Sequence, residues 1–227
     1  MLSLFDTSCL AAPMVNQSDA PFRMLCLNHG ATAAYTQMLL AEIIVRDYDS
    51  GSTSYLDAYL PAVDFEPYDS PPTSSTSSSS SYACRPLIVQ IAGNDPTILA
   101  KAVDIITDKY PSFIDAIDFN LGCPQDRAKQ GLYGSYLLDK CHWSLVYDCV
   151  SSMNTILKSK GVHLFCKIRI VEVTDGNLEE GTKEFVSGLV ERGVRLVTIH
   201  GRRRGMYVYM HAWMHVFINI CLFVIFA

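Results

Sequence analysis

AIDFNLGCPQDRAKQGLYGS, residues 116–135, begins as a strand and ends as a loop. Ala116, Ile117 and Phe119 are apolar, with Asp118 set between them. A short apolar run closed by turn residues suits a strand buried on both faces of a parallel sheet. Asn120, Gly122, Cys123 and Pro124 then arrive together, and Gly122 and Pro124 redirect the backbone around a single thiol at the strand's C-terminal end. In an α/β barrel that end is where chemistry is done. A Cys there supplies a proton or a nucleophile when its exposure and acidity permit. A lone Cys also reads as a small buried hydrophobe, but Asn, Gly, Pro and Gln are not the neighbours a core provides.

Outward from this stretch, strand and helix patterns alternate. Strands are expected at Leu10–Met14, Ala33–Tyr35, Leu87–Ile91, Ala116–Asn120, Val162–Ile170 and Leu196–His200. Between them fall helical patterns: a start at Ser18-Asp19-Ala20-Pro21 running to Asn28, a short stretch at Leu39–Arg46, an Asp95-Pro96 start running to Tyr110, and stretches at His142–Lys158 and Leu178–Glu191. This alternation argues for parallel strands joined by helical crossovers. About six strands are countable, whereas a full eight-fold barrel takes roughly 250 residues. The last of six strands would keep a bare edge.

The 227 residues, 49% hydrophobic and 18% charged, describe a chain that buries a core. Against 23 Asp and Glu stand 18 Lys and Arg, so the net charge of −5 gives no overall attraction for nucleic acid, and a nucleic-acid substrate would need local basic patches. The eight Cys are scattered without a C-x-x-C pair, which points away from zinc and from a disulfide framework and toward reduced thiols in cytoplasm or nucleus. Residues 70–81, ending in TSSTSSSSS, read as a disordered insertion between elements. Residues 205–227 are an apolar tail behind Arg202-Arg203-Arg204. Its length of about 22 mostly apolar residues is near the minimum for a membrane span, and His211 and His215 lie four apart without a third metal ligand.

Polar residues recur at the strand ends: Met14 after the first strand, Gln90, Asn120 with Cys123, Lys167 and Arg169 two apart and so on one face, and His200. Singly, Gln90 reads as a polar barrel filler, Lys167 as a snorkelling surface residue and His200 as a satisfied core histidine. Together, at successive strand ends, they have the pattern of a ligand site.

DFNLGCPQ followed by AKQGLYGSYLLDK resembles the tRNA-dihydrouridine synthases, in their eukaryotic branch that modifies two neighbouring uridines of the D-loop. The segments APMVNQSDAPFRMLC, YTQML, RPLIVQIAGNDP, CKIRI and TIHGR support the likeness in the same order along the chain. The resemblance implies a TIM-type (β/α)8 barrel over residues 1–204, incomplete at about six strands, with residues 205–227 foreign to the family. It implies FMN across the barrel mouth, with Pro13, Met14 and Val15 touching it through the backbone, Gln90 and Lys167 on the flavin ring and His200 toward its ribityl or phosphate side. Asn120 and Arg169 would hold a flipped-out uracil of the tRNA substrate, Cys123 would be the general acid, and NAD(P)H would be the reductant; no metal is implied. The family's later Asn-Gly-Asp element, its Gly-Arg phosphate grip and its helical tRNA-binding domain have no counterpart here. Two other classes stay open: a non-catalytic remnant that binds a partner or membrane through its tail, and an FMN barrel oxidoreductase acting on a free metabolite.

Overall fold

The computed structural model describes residues 4–60, 85–172, 178–205 and, for the backbone, 223–226. The Ser-rich stretch 70–81 and most of the tail, with His211 and His215, lie outside the described residues. In chain order the elements are β1 (Leu10–Ala11), α1 (Ala20–Asn28), β2 (Ala33–Tyr35), β3 (Leu39–Leu40), α2 (Ala41–Asp49), α3 (Ser54–Asp57), β4 (Leu87–Ala92), α4 (Pro96–Lys109), β5 (Ala116–Leu121), α5 (Asp126–Gln130), two 3-10 turns (Gly134–Leu138 and Lys140–His142), α6 (Trp143–Lys160), β6 (His163–Arg169), α7 (Leu178–Glu191), β7 (Leu196–His200) and β8 (Phe223–Phe226).

The helices start where the sequence caps them. Asp19 accepts a hydrogen bond from the Phe22 N–H, and Asp95 accepts from the Thr97 and Ile98 N–H groups, with Pro96 in the first turn of α4. Gly161, in the left-handed conformation at φ 69°, ends α6. β1 is shorter than the expected Leu10–Met14. After Ala11 the chain leaves the sheet because Ser18 captures it: the hydroxyl donates to the Ala12 carbonyl and accepts from the Met14 N–H.

The strands lie in the order β1-β2-β4-β5-β6-β7-β8, with β3 beside β4, and every pair up to β6–β7 is parallel. Six strands with helical crossovers thus form an open, curled half-barrel, as an incomplete TIM-type barrel does. The bare edge expected on the last parallel strand is not found. β8 lies antiparallel on β7, from Leu196 opposite Phe226 to Ile199 opposite Phe223. Among the described residues no helix is long and apolar enough to cross a membrane.

Alternation along each strand divides the core in two. Outward, Val89, Ile117, Phe119, Cys166, Ile168 and Val197 join Leu99 and Val103 of α4, Val146 and Met153 of α6 and Phe185 of α7 in one apolar cluster. Inward, Ala33, Tyr35, Ile88, Ala116, Phe165 and Leu196 form a smaller cluster, against which Leu4, Phe5 and Leu10 pack. Above that inner floor the inward positions turn polar, and the register aligns them: Gln90 with Asp118, Asn120 with Lys167, Lys167 with Thr198, and Arg169 with His200.

Candidate active site

The C-terminal ends of β4 to β7 and the loops that follow them surround a cavity of about 310 Å³. Pro13, Val15, Gln90, Asn120, Cys123, Lys167, Arg169 and His200 all line it. Met14 does not. Its carbonyl accepts from the N–H groups of Gln17 and Ser18 and its N–H goes to Ser18, so its backbone is used up in the turn. Met38, Gly122, Pro124 and Gln125 also line the cavity. They belong to motifs visible in the sequence but carry no titratable group that would single them out.

The loop bearing Cys123 is held from two sides. In front, the Asn120 Oδ1 accepts from the N–H of Gly122 at 3.0 Å and of Cys123 at 2.9 Å. Behind, the Cys123 carbonyl accepts from both the N–H and the hydroxyl of Ser135, each at 3.0 Å. Gly134 makes this approach possible. It sits at φ 64°, and a Cβ there would stand 2.7 Å from the Cys123 carbonyl oxygen and 2.9 Å from its Cβ. Arg169 braces the same loop, its Nε donating to the Gly122 carbonyl at 2.7 Å.

Beneath the loop runs a buried amide chain. The Asn120 Nδ2 donates to the Gln90 Oε1 at 2.8 Å, and the Gln90 Nε2 donates to the Asp118 Oδ2 at 2.8 Å. Asp118 is fully buried. Burial pushes its carboxyl up to about 7, against the opposing pull of the Gln90 hydrogen bond and the Lys167 charge. In the sequence Asp118 reads only as an interruption of an apolar run. The signal was a carboxyl on the inward side of a strand, two positions before Asn120.

Cationic groups crowd the far wall. Burial lowers the Lys167 amine from its ordinary value, Asp118 works against that, and Arg169 adds to it. Among the described residues the Lys167 ammonium has no hydrogen-bond or ion-pair partner. His200 is pushed down to about 4 by burial and by Lys167, Arg169 and Arg202, so its ring is neutral at pH 7, and its Nδ1 is buried without a partner. Arg204 is tied to the turn behind the Cys123 loop, donating to the Ser135 carbonyl and the Asp139 carboxylate and lying over the Tyr136 ring. The wall therefore presents donors and positive charge, and it shares the cavity with Cys123, which suits a ligand that offers acceptors. Among the described residues no group of three or more His, Cys, Asp or Glu could hold a metal ion, and the six described cysteines are free thiols.

A family model described as dihydrouridine synthase matches residues 10–215. The tRNA-dihydrouridine(16/17) synthase of Saccharomyces cerevisiae is 34% identical over 197 residues, covering 86% of this chain and 38% of the relative. The like protein of Rattus norvegicus is 34% identical over 210 residues, covering 91% and 40%. A bacterial relative, the tRNA-dihydrouridine synthase B of Yersinia pestis, is 32% identical over 200 residues, covering 87% and 51%. The chain spans about two fifths of the length of the eukaryotic relatives it matches.

Proposed function

The chain belongs to the dihydrouridine synthase family, and from that premise we propose that its site serves the reduction of a uracil in tRNA to dihydrouracil, with FMN bound and NAD(P)H as the reductant. The observation that carries this reading is the convergence of every residue the resemblance singles out, Met14 apart, on one cavity at the strand ends.

The donor set suits a flavin. A reduced flavin ring gains negative charge, which a nearby cation stabilises, and the Lys167 ammonium and the orphaned His200 Nδ1 have room for such a partner. Gln90, Lys167 and His200 would hold the cofactor, with Pro13 and Val15 beside it. When bound and reduced by NAD(P)H, FMN would supply the hydride for C6 of the uracil. The thiol of Cys123 gives its proton to C5 and regains one from solvent. Arg169 keeps donors beyond those spent on Gly122 and Arg203. Asn120, with its oxygen on the loop and one amide hydrogen on Gln90, keeps a single N–H for a uracil carbonyl. The base must leave its stack to reach such a depth. The net charge of −5 leaves tRNA to be drawn by local clusters, such as Arg202, Arg203 and Arg204, which follow His200 of the cavity wall in the chain.

The test uses this chain and, beside it, this chain continued through the C-terminal part of the Saccharomyces cerevisiae relative. Flavin absorbance reports FMN retention and nucleoside mass spectrometry reports dihydrouridine. Lys167→Ala is expected to lower FMN retention. Cys123→Ala is expected to leave flavin reduction by NAD(P)H intact and to abolish dihydrouridine. Normal dihydrouridine formation by Cys123→Ala would remove the thiol from the mechanism.

A further inference from the structure

We propose that Asp118, which the mechanism above does not use, is a positioning residue that sets which way round the two buried amides of the site are turned. An amide has a donor end and an acceptor end of nearly the same shape, so shape alone does not orient it. A carboxyl oxygen removes that freedom. The Asp118 Oδ2 accepts, so Gln90 must turn its Nε2 toward it, at 2.8 Å. The Gln90 Oε1 then faces Asn120, which must answer with its Nδ2, at 2.8 Å. The Asn120 Oδ1 is left facing the N–H groups of Gly122 and Cys123. Turned the other way, Asn120 would set an NH2 group against two N–H donors, and the loop would lose both bonds.

The arrangement holds whether or not Asp118 carries a proton. Its other oxygen, Oδ1, is buried without a partner, as are the hydroxyls of Tyr35 from β2 and Thr198 from β7. Tyr35, Gln90 of β4, and Cys166 and Lys167 of β6 are the groups that interact with Asp118, and Thr198 interacts with Tyr35. A proton taken on Oδ1 leaves Oδ2 accepting from Gln90. All three members of the chain are less than a tenth exposed, so water does not readily substitute for a lost partner.

That Cys123 is the reacting thiol is taken from the proposed function. The test needs neither cofactor nor tRNA, so a failed relay and a failed function are told apart. Amide hydrogen exchange is read at Gly122 and Cys123 and compared with the amides of β6, which track the stability of the sheet. Asp118→Asn keeps an acceptor for Gln90 and leaves its NH2 to the side where Oδ1 stands without a partner, so loop protection should stay within about threefold of the parent. Asp118→Leu keeps the bulk and removes the acceptor, so protection at Gly122 and Cys123 should fall about tenfold or more relative to β6. Adding Gln90→Glu to Asp118→Leu places an acceptor-only group against Asn120 with Lys167 near it, and protection should return. Unchanged protection in Asp118→Leu would overturn the proposal. So would a folded double variant whose loop stays unprotected, or failure of both Leu variants to fold.

Discussion

On the outer face of the sheet Val89, Ile117, Phe119, Cys166, Ile168 and Val197 are buried in an apolar cluster shared with the helices. On the inner face of the same strands, one residue away, Tyr35, Gln90, Asp118, Asn120 and Thr198 are buried just as deeply and are polar. Buried polar atoms without a hydrogen-bond partner, on Tyr35, Asp118, Thr198 and His200, belong to that inner face. The outer face follows the rule that interiors are apolar and close-packed. The inner face breaks it at its upper end, above a floor of Ala33, Ile88, Ala116, Phe165 and Leu196 that still obeys it. The apolar cluster lies on one side of the strands and the cavity on the other, and a two-residue period keeps them apart.

The sharpest way to break this division is from the outer face. Phe119→Ala removes a fully buried ring and is expected to cost about 3–5 kcal/mol. Denaturant unfolding measures it. A cost comparable to that of a surface substitution would mean that the outer cluster is not what holds the sheet.

The inner face should show itself in pH dependence. Asp118 has its carboxyl raised in the folded state, so its contribution to stability is full below the ordinary carboxylate range and is lost as pH rises toward about 7. His200 is lowered to about 4, so its contribution is full above the ordinary histidine range and is lost as pH falls toward about 4. The two oppose each other over the same window. Asp118→Asn removes one of them, and the variant should lose stability on acidification more steeply than the parent. Urea midpoints across that window decide it, and equal slopes would show that Asp118 does not titrate there.

The smallest effect belongs to the helical rim. Lys101 pairs with Asp49 at 2.6 Å with both side chains largely exposed. Lys101→Ala is expected to cost less than about 1 kcal/mol in the same unfolding measurement.

Much of this was legible from residue patterns. The six parallel strands announce themselves as apolar runs between helical periods, and Asp19 and Asp95 mark helix starts because caps are local chemistry. Leu39 and Leu40 have the pattern of a helix start but pair with β4 before α2 begins, because the strand's partner lies far along the chain. α3, α5 and the 3-10 turns are too short to show a period. The cavity's residues were legible because strand ends converge in this kind of fold. The amide chain was not, because the cross-strand register that sets Gln90 beside Asp118 is a property of the folded sheet. The antiparallel β8 was missed for the same reason.

Gly134 carries one consequence further. A Cβ on it would collide with the O, Cβ and N of Cys123, so the bare glycine lets the turn close against the back of the loop whose Cys123 lines the cavity. In the proposed reaction such a thiol delivers its proton from one direction only. The prochiral carbon that receives it would therefore be marked with a single handedness: run in deuterated water, the reaction would leave its label at C5 in one configuration. The missing side chain of Gly134 would thus be recorded in the stereochemistry of the product.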